Sequence, residues 1–519
     1  MQKGKFRLAA LLAGCFIFIV TVFGKAMISA AADDAMEDEG VKVEPEARVT
    51  RQYTLTEEPV EGGTLTTPEL LTAYFAPTQL PVLYLTTENG APIASNKNYV
   101  DGSLQIGNQA VYSCAFRGRG NASWTTYPQK SYLLKFDEKV SFLGMKPSRK
   151  WVLRSNYGDP AIVRDAVATD IAREMDALSF TAETYAVDVV LNGKYIGIYQ
   201  LAEKVEVAED KVELFSIEEE YPFDENRMLT YGQLCRGEAY VLEPEDTAFL
   251  METSFDFYNE HVYGLEYFKV GHLPSTFITY PEPVAGNQQA IDAAIEYMRL
   301  TDAAIVSGEN IEAYIDMDSF VDWFIVMELT FNTDSSFNRS TYLYKRPGGK
   351  LMIGPVWDFD HAFGNFKFDE PTYQSWCTGE AIYAMCQHHW PDDLVKNDAF
   401  MEKVKCRFDE KKDALSKIIE ESVFVHMNQV AASGTYQSHC YGVELDTNPE
   451  GITTFLQKRL AWMDESLHSD NYNRHPATMS INWEPQTTEE GSGEAGENSE
   501  NIPEGQVEET FPVIDETTE

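Results

Sequence analysis

Asn332-Thr333-Asp334-Ser335-Ser336-Phe337-Asn338-Arg339, and then Gly354-Pro355-Val356-Trp357-Asp358-Phe359-Asp360: between these two acidic segments lie Ser340–Lys345, the turn Arg346-Pro347-Gly348-Gly349, and Lys350–Val356. Two short apolar runs joined by a Pro-Gly-Gly turn predict a β-hairpin. A hairpin returns the chain to its starting level, so Asp334, Asn338, Asp358 and Asp360 are expected to converge within several ångströms. Carboxylates with an amide oxygen form a hard oxygen set, suited to Mg²⁺ or Mn²⁺ and not to zinc.

Outward from this hairpin the pattern divides. On its C-terminal side, Asp393–Val423 (with a break expected inside it) and Ile452–Leu467 carry apolar residues at helical spacing, as do Asn287–Ala304 and Met317–Phe331 before it. Further upstream the signal is strand-like. Pro81–Thr87 ends at Asn89-Gly90, Ala110–Phe116 and Ser131–Phe136 follow, and Ala186–Leu191 and Tyr195–Leu201 flank Asn192-Gly193, a type I′ hairpin pair. One helix is expected among them, from about Pro160 to Met175, with Asp159 as its N-cap. Strands first and helices after predict an α+β protein with a cleft between two lobes.

The ends have a different character. Lys3, Lys5 and Arg7 precede a 16-residue apolar run, Leu8–Phe23, and then Ser29-Ala30-Ala31-Ala32. That order predicts an export signal over residues 1–32. The run is short of the roughly 20 residues that span a bilayer, so an N-terminal anchor is the lesser alternative. Leu12-Ala13-Gly14-Cys15 supplies another, a lipidated cysteine. Residues 33–75 read as an acidic linker and 476–519 as an acidic tail. From Glu484 to Glu519 there are twelve acidic residues and no basic one, too little apolar content to offset chain entropy.

With 41 basic and 83 acidic side chains the formal charge is −42. Such a field repels nucleic acid and anionic membranes, so no nucleic-acid partner is expected, and membrane contact only through an anchor or lipid. An anionic substrate needs a local positive pocket or a bound metal. Seven cysteines include no CxxC pair. Disulfides, with Cys377 and Cys386 the nearest pair, and buried free thiols are both open readings.

The hairpin constellation has the logic of a phosphotransferase, in which one Asp orients an acceptor hydroxyl while an Asn and a second Asp hold metal on nucleotide phosphates. The strand-rich half offers an opposing wall. Arg117-Gly118-Arg119-Gly120-Asn121-Ala122-Ser123 allows close approach of backbone amides to phosphate, and Lys130 and Lys135 bracket the next strand. It is not a Walker loop, which needs Gly-Lys-Ser/Thr leading into a helix. His388-His389 lack the spacing of a helical zinc pair.

Several pieces in order carry a resemblance: Arg117-Gly118-Arg119-Gly120-Asn121, Lys130-Ser131-Tyr132 through Lys135-Phe136, Leu143-Gly144-Met145, Trp151-Val152-Leu153, Arg164, Gly197-Ile198-Tyr199-Gln200-Leu201-Ala202-Glu203, and the two acidic segments. Over about residues 80–460 the chain resembles the spore coat protein H (CotH) kinase family of secreted bacterial proteins. The resemblance implies an atypical protein-kinase-like domain over 76–475, with a β-rich lobe over about 76–205 and a helix-rich lobe over about 206–475. It implies ATP-dependent phosphorylation of Ser or Thr on secreted or coat proteins. By position Asp334 is the catalytic acidic residue, and Asp358 holds metal with Asn338 and Asp360. Arg117 and Arg119 face the phosphates with Lys130 or Lys135, and Glu203 lies near the lobe junction. The pattern departs from ordinary kinases: Asp334 and Asn338 are one residue closer, no His-Arg-Asp precedes them, and Asp360 replaces Gly. Two rivals are a surface assembly or adhesion protein that retains the fold with little activity, and a glycosidase with paired carboxylates.

Overall fold

The computed structural model describes residues 80–469 except 108, 121, 209–210, 215–219, 225–226, 231–232, 234–240, 255–266, 333, 336, 338, 366–373, 375, 378–388, 444 and 447. The expected export signal over 1–32, the linker over 33–75 and the acidic tail over 476–519 lie outside these residues. Among the described residues no helix is long and apolar enough to cross a membrane.

The first half is a closed barrel of seven strands in the order β1-β2-β3-β4-β5-β7-β6. They are β1 (Val82–Thr87), β2 (Val100–Ile106), β3 (Val111–Arg119), β4 (Ser131–Val140), β5 (Ser148–Ser155), β6 (Thr184–Leu191) and β7 (Lys194–Glu203). A four-residue helix, α1 (Ala122–Thr125), sits between β3 and β4. Closure comes from parallel pairing of β1 with β6, Val82 opposite Asp188. Alternation sorts the side chains. On β3, Cys114 and Phe116 are buried in the barrel, so Arg117 and Arg119 stand on its outer face. Phe116, Phe136, Phe142, Trp151 and Tyr199 fill the interior, and each such burial contributes about 1.5–3 kcal/mol. The β6–β7 turn is as expected, with Asn192 at φ 50° and Gly193 at φ 76°.

Helix α2 (Arg164–Arg173) links β5 to β6. It begins later than Pro160 because Ile162 has φ 64°, which no right-handed helix contains. Asp159 still serves its entry. Its carboxylate accepts the N–H groups of Ala161 and Arg164, both at 2.9 Å.

The second half is less purely helical than its pattern suggests. After a two-stranded ribbon, β8 (Glu220–Asp224) and β9 (Arg227–Thr230), comes a five-stranded sheet in the order β11-β12-β10-β13-β14. Its strands are β10 (Phe249–Thr253), β11 (Phe268–Val270), β12 (Leu273–Tyr280), β13 (Tyr342–Lys345) and β14 (Met352–Ile353). The predicted hairpin is β13–β14, with Leu343 opposite Ile353. Around it lie α3 (Gln288–Ser307), α4 (Ile311–Tyr314), α5 (Met317–Thr330), α6 (Trp390–Leu394), α7 (Asp398–Tyr441) and α8 (Pro449–His468). Helix α5 is buried along nearly its whole circumference. The break expected inside Asp393–Val423 falls at Val395–Asn397, between α6 and α7, where Asn397 accepts the Phe400 N–H at 3.0 Å. From there α7 runs 44 residues to the αL cap Gly442.

The end of α7 grips the barrel. Gln437 Oε1 accepts the Ile198 N–H at 2.9 Å, its amide donates to Gln129 Oε1 at 2.9 Å, and the Tyr441 hydroxyl donates to the Ile196 carbonyl at 2.7 Å. Gly197, at φ 99°, makes this possible, because a Cβ there would lie 2.1 Å from Gln437 Oε1.

Candidate active site

The β13–β14 hairpin does bring its flanks together. At its entrance α5 ends in Phe331, with φ 49°, and Asn332 turns toward the exit strand. The Asn332 amide and the Ser335 hydroxyl both donate to the Asp358 carbonyl, at 3.0 and 3.1 Å. The Ser340 hydroxyl donates to the Asp358 carboxylate at 3.1 Å. Asp358 itself sits at φ 69°, a conformation that costs on the order of 1 kcal/mol or more for a side chain of this kind. Three side-chain hydrogen bonds hold it there.

Next to it, the Phe359 N–H donates to Asp165 Oδ1 on α2, which also accepts from Arg154 of β5, both at 2.9 Å. Burial raises the Asp165 carboxyl; Arg154 and the Phe359 N–H oppose the shift, while Asp358 and Asp159 add to it. Asp334 is salt-bridged to Arg339 at 2.6 Å. The half-buried Asp360 is pushed well above the usual carboxylate range, first by burial and then by Asp358, Asp165, Asp334 and Asp159. His361 Nε2 lies 3.8 Å from its carboxylate. Gly158 closes the site behind Asp360, and Asn365 donates to the carbonyls of both Gly158 and Asp360.

Asp358, Asp165, Asp334 and Asp159 all act on Asp360, and these five carboxylates outnumber the guanidinium groups of Arg119, Arg154, Arg164 and Arg339; that excess fits a hard divalent cation. Asp334, Asp358 and Asp360 do not by themselves close into a three-ligand cage. Among the described residues that spacing occurs only at Asp409, Asp464 and His468, where Lys412 already bridges the two carboxylates. Two protein carboxylates with the rest of the shell left to phosphate and water is the usual arrangement for Mg²⁺. Asn338 lies outside the described residues.

The cationic residues divide. Arg119 reaches the site, its guanidinium 5.3 Å from the centre of the Trp357 ring, with Arg154 at 4.3 Å from the same ring. Arg117 and Lys135 instead flank Tyr99, at 5.4 and 5.5 Å. Lys130 is half-buried ahead of β4. Glu203 pairs in register with Trp151 and so shares its inward face. Its Oε2 accepts the Glu183 N–H at 3.0 Å, and burial raises its carboxyl. Three residues near the site carry no motif in the sequence. Glu252 on β10 hydrogen-bonds Tyr342 on β13, and burial raises it to about 7 against the pull of Arg119 and Lys204. Burial lowers Lys204 to about 8. Asp165 is the third, and only its place on the expected helix pointed to it.

The family model described as CotH kinase protein matches residues 116–463, well over half of the chain. The chain belongs to the CotH kinase family. No curated protein sequence matches it.

Proposed function

We propose that this chain is a metal-dependent protein Ser/Thr kinase with a two-lobed, kinase-like arrangement, acting outside the cytoplasm on secreted or coat proteins. The observation that carries the proposal is the convergence of Asp334, Asp358 and Asp360 at the two ends of one hairpin, opposite Arg119 on the barrel. Asp358 and Asp360, with Asn338, would hold the cation. A bound Mg²⁺ or Mn²⁺ would neutralise β- and γ-phosphate oxygens in a protein whose own field repels ATP.

The residues of the chain supply positioning and proton transfer. Arg339 orients the Asp334 carboxylate toward an acceptor hydroxyl, and Asp334 takes the proton as the acceptor oxygen bonds to the γ-phosphorus. The bond from that phosphorus to the β–γ bridging oxygen breaks, and ADP leaves. Asn332, Ser335 and Ser340 keep Asp358 in its strained conformation, so its carboxylate needs little reorganisation. Trp357, covered by Arg119 and Arg154, shields one side from water.

The test is purified residues 33–519 with labelled ATP and Mg²⁺ or Mn²⁺, beside Asp334→Ala and Asp358→Ala. Label should enter the protein or co-secreted proteins and vanish in both variants. No labelling under either metal refutes the kinase proposal in favour of an assembly role. Labelling that survives Asp358→Ala refutes the metal assignment.

A further inference from the structure

On the outer face of the barrel, beyond Arg119, three lysines surround one carboxylate. Glu206 lies 3.2 Å from Lys211 Nζ, 3.3 Å from Lys150 Nζ and 3.7 Å from Lys204 Nζ. Lys211 is buried and fixed, donating also to the Ser148 hydroxyl at 2.9 Å and the Lys204 carbonyl at 3.2 Å. The ammonium groups of Lys150 and Lys204 remain partly open to solvent, and Glu206 is mostly covered. The three cations together hold the Glu206 carboxyl below its ordinary range despite its burial.

A staple for the turn after β7 needs one cation for one carboxylate. Here three are gathered, in a chain with about twice as many acidic as basic side chains. Glu206 offsets one of the three charges, and Lys204 and Lys211 act besides on Glu252 and Glu203, whose carboxyls burial raises toward the neutral form. Among the described residues the cluster therefore keeps a positive excess: Lys150, Arg119 and Lys211 each push against protonation of Lys204. Gathering like charges is unfavourable unless an anion joins them. The cluster is also continuous with the acidic site. Arg119 acts on Lys204 and on Glu252, and Glu252 in turn feels Asp358.

We propose that Lys150, Lys204 and Lys211 form a phosphate seat for the nucleoside triphosphate, and that Glu206 fills this seat until the phosphate displaces it. The proposal rests on the kinase reading for the identity of the ligand, but not for the existence of the seat. Phosphates would then extend from the three lysines past Arg119 to the cation at Asp358 and Asp360. Lys135, exposed beside Tyr99, and Lys130 would make no direct contribution.

Calorimetric titration of the full chain with Mg·ATP, and separately with pyrophosphate, tests it. Lys150→Ala and Lys204→Ala should each weaken both ligands by about tenfold. Glu206→Gln should strengthen both by roughly threefold to tenfold, because the competing carboxylate is gone. Lys135→Ala should leave both unchanged. Circular dichroism confirms that each variant is folded. Pyrophosphate affinity unaffected by the lysine variants, or undetectable in the parent chain, overturns the seat. A weaker Glu206→Gln overturns the displacement, since Glu206 would then be positioning the lysines. Lysine-dependent pyrophosphate binding without ATP binding keeps the seat and removes the kinase reading.

Discussion

Replacing Gly158 by alanine isolates the geometry of Asp360 from every other feature of the site. The backbone at Gly158 is not in the left-handed region, so alanine meets no conformational penalty there. The added methyl meets Asp360 Oδ2 at 2.6 Å and the Tyr127 hydroxyl at 3.2 Å, whereas ordinary contact begins near 3.4 Å. Asp360 must therefore move by roughly 0.8 Å, the difference between 3.4 and 2.6 Å. The two segments cannot simply separate, because the Asn365 amide holds the carbonyls of both. Overpacking of this kind costs about 1–3 kcal/mol. Loss of glycine freedom in the unfolded chain returns about 0.4–1 kcal/mol. The net destabilisation is about 0.5–2 kcal/mol, visible in urea unfolding. Displacement of a reacting group by close to 1 Å lowers turnover by about 100-fold. Activity should therefore fall far more than stability, and the rise in melting temperature on adding Mn²⁺ should shrink. A Gly158→Ala protein with parental phosphorylation and an undiminished Mn²⁺ response refutes the placement of Asp360 in the site.

Three further outcomes follow from the packing. Arg459 and Glu328 form a fully buried pair at 2.9 Å, so Arg459→Ala should cost about 3–5 kcal/mol in urea unfolding by leaving a carboxylate without its partner. A loss below 1 kcal/mol contradicts that burial. Glu252, raised by burial to about 7 in the folded protein, contributes stability that is complete below its unfolded pKa and is lost as pH rises through about 7. Metal-free protein should lose up to about 3 kcal/mol between pH 4.5 and 8 from this group, and Glu252→Gln should flatten that part of the profile. Gly197→Ala should destabilise by at least 1–3 kcal/mol, because φ 99° is costly for alanine and the methyl strikes Gln437; an unchanged midpoint contradicts the grip of α7 on the barrel.

What the sequence made legible was local. Asn192-Gly193 announces its turn because both residues tolerate positive φ, and strands β1, β4, β6 and β7 have apolar runs long enough to see. Helices α3, α5 and α8 end within a few residues of their periodic patterns. The sheet strands β10 and β11 escaped because they are short, and β12 because its character depends on partners distant in sequence. Barrel closure escaped for the same reason, since nothing in β1 marks β6 as its neighbour. In the site, Asp334, Asp358 and Asp360 were visible because one hairpin connects them. Glu252, Lys204 and Asp165 were not, as only tertiary packing brings β10, the end of β7 and α2 beside Trp357. Among the basic residues chosen from the Gly-rich turn and its flanks, position along the strand decides the outcome: Arg117 and Arg119 share the outer face of β3, but Arg119 falls next to Trp357 and Arg117, two residues earlier, falls on Tyr99.

The pairing of β1 with β6 makes the order in which the chain becomes available matter. Val82 finds Asp188 only after every intervening strand and α2 have been made, so the first strand waits for nearly the last. Until then β1–β2 and β6 are open edges, prone to pair with other chains. Contacts this distant in sequence also slow folding. A chain delivered from its N-terminus would thus spend its most vulnerable interval with the roughly hundred residues between Val82 and Asp188 not yet closed into the barrel, a loop whose closure carries an entropic cost that grows with its length. Removing residues before Leu80 should leave that interval unchanged, whereas trimming into Val82–Thr87 would make it permanent.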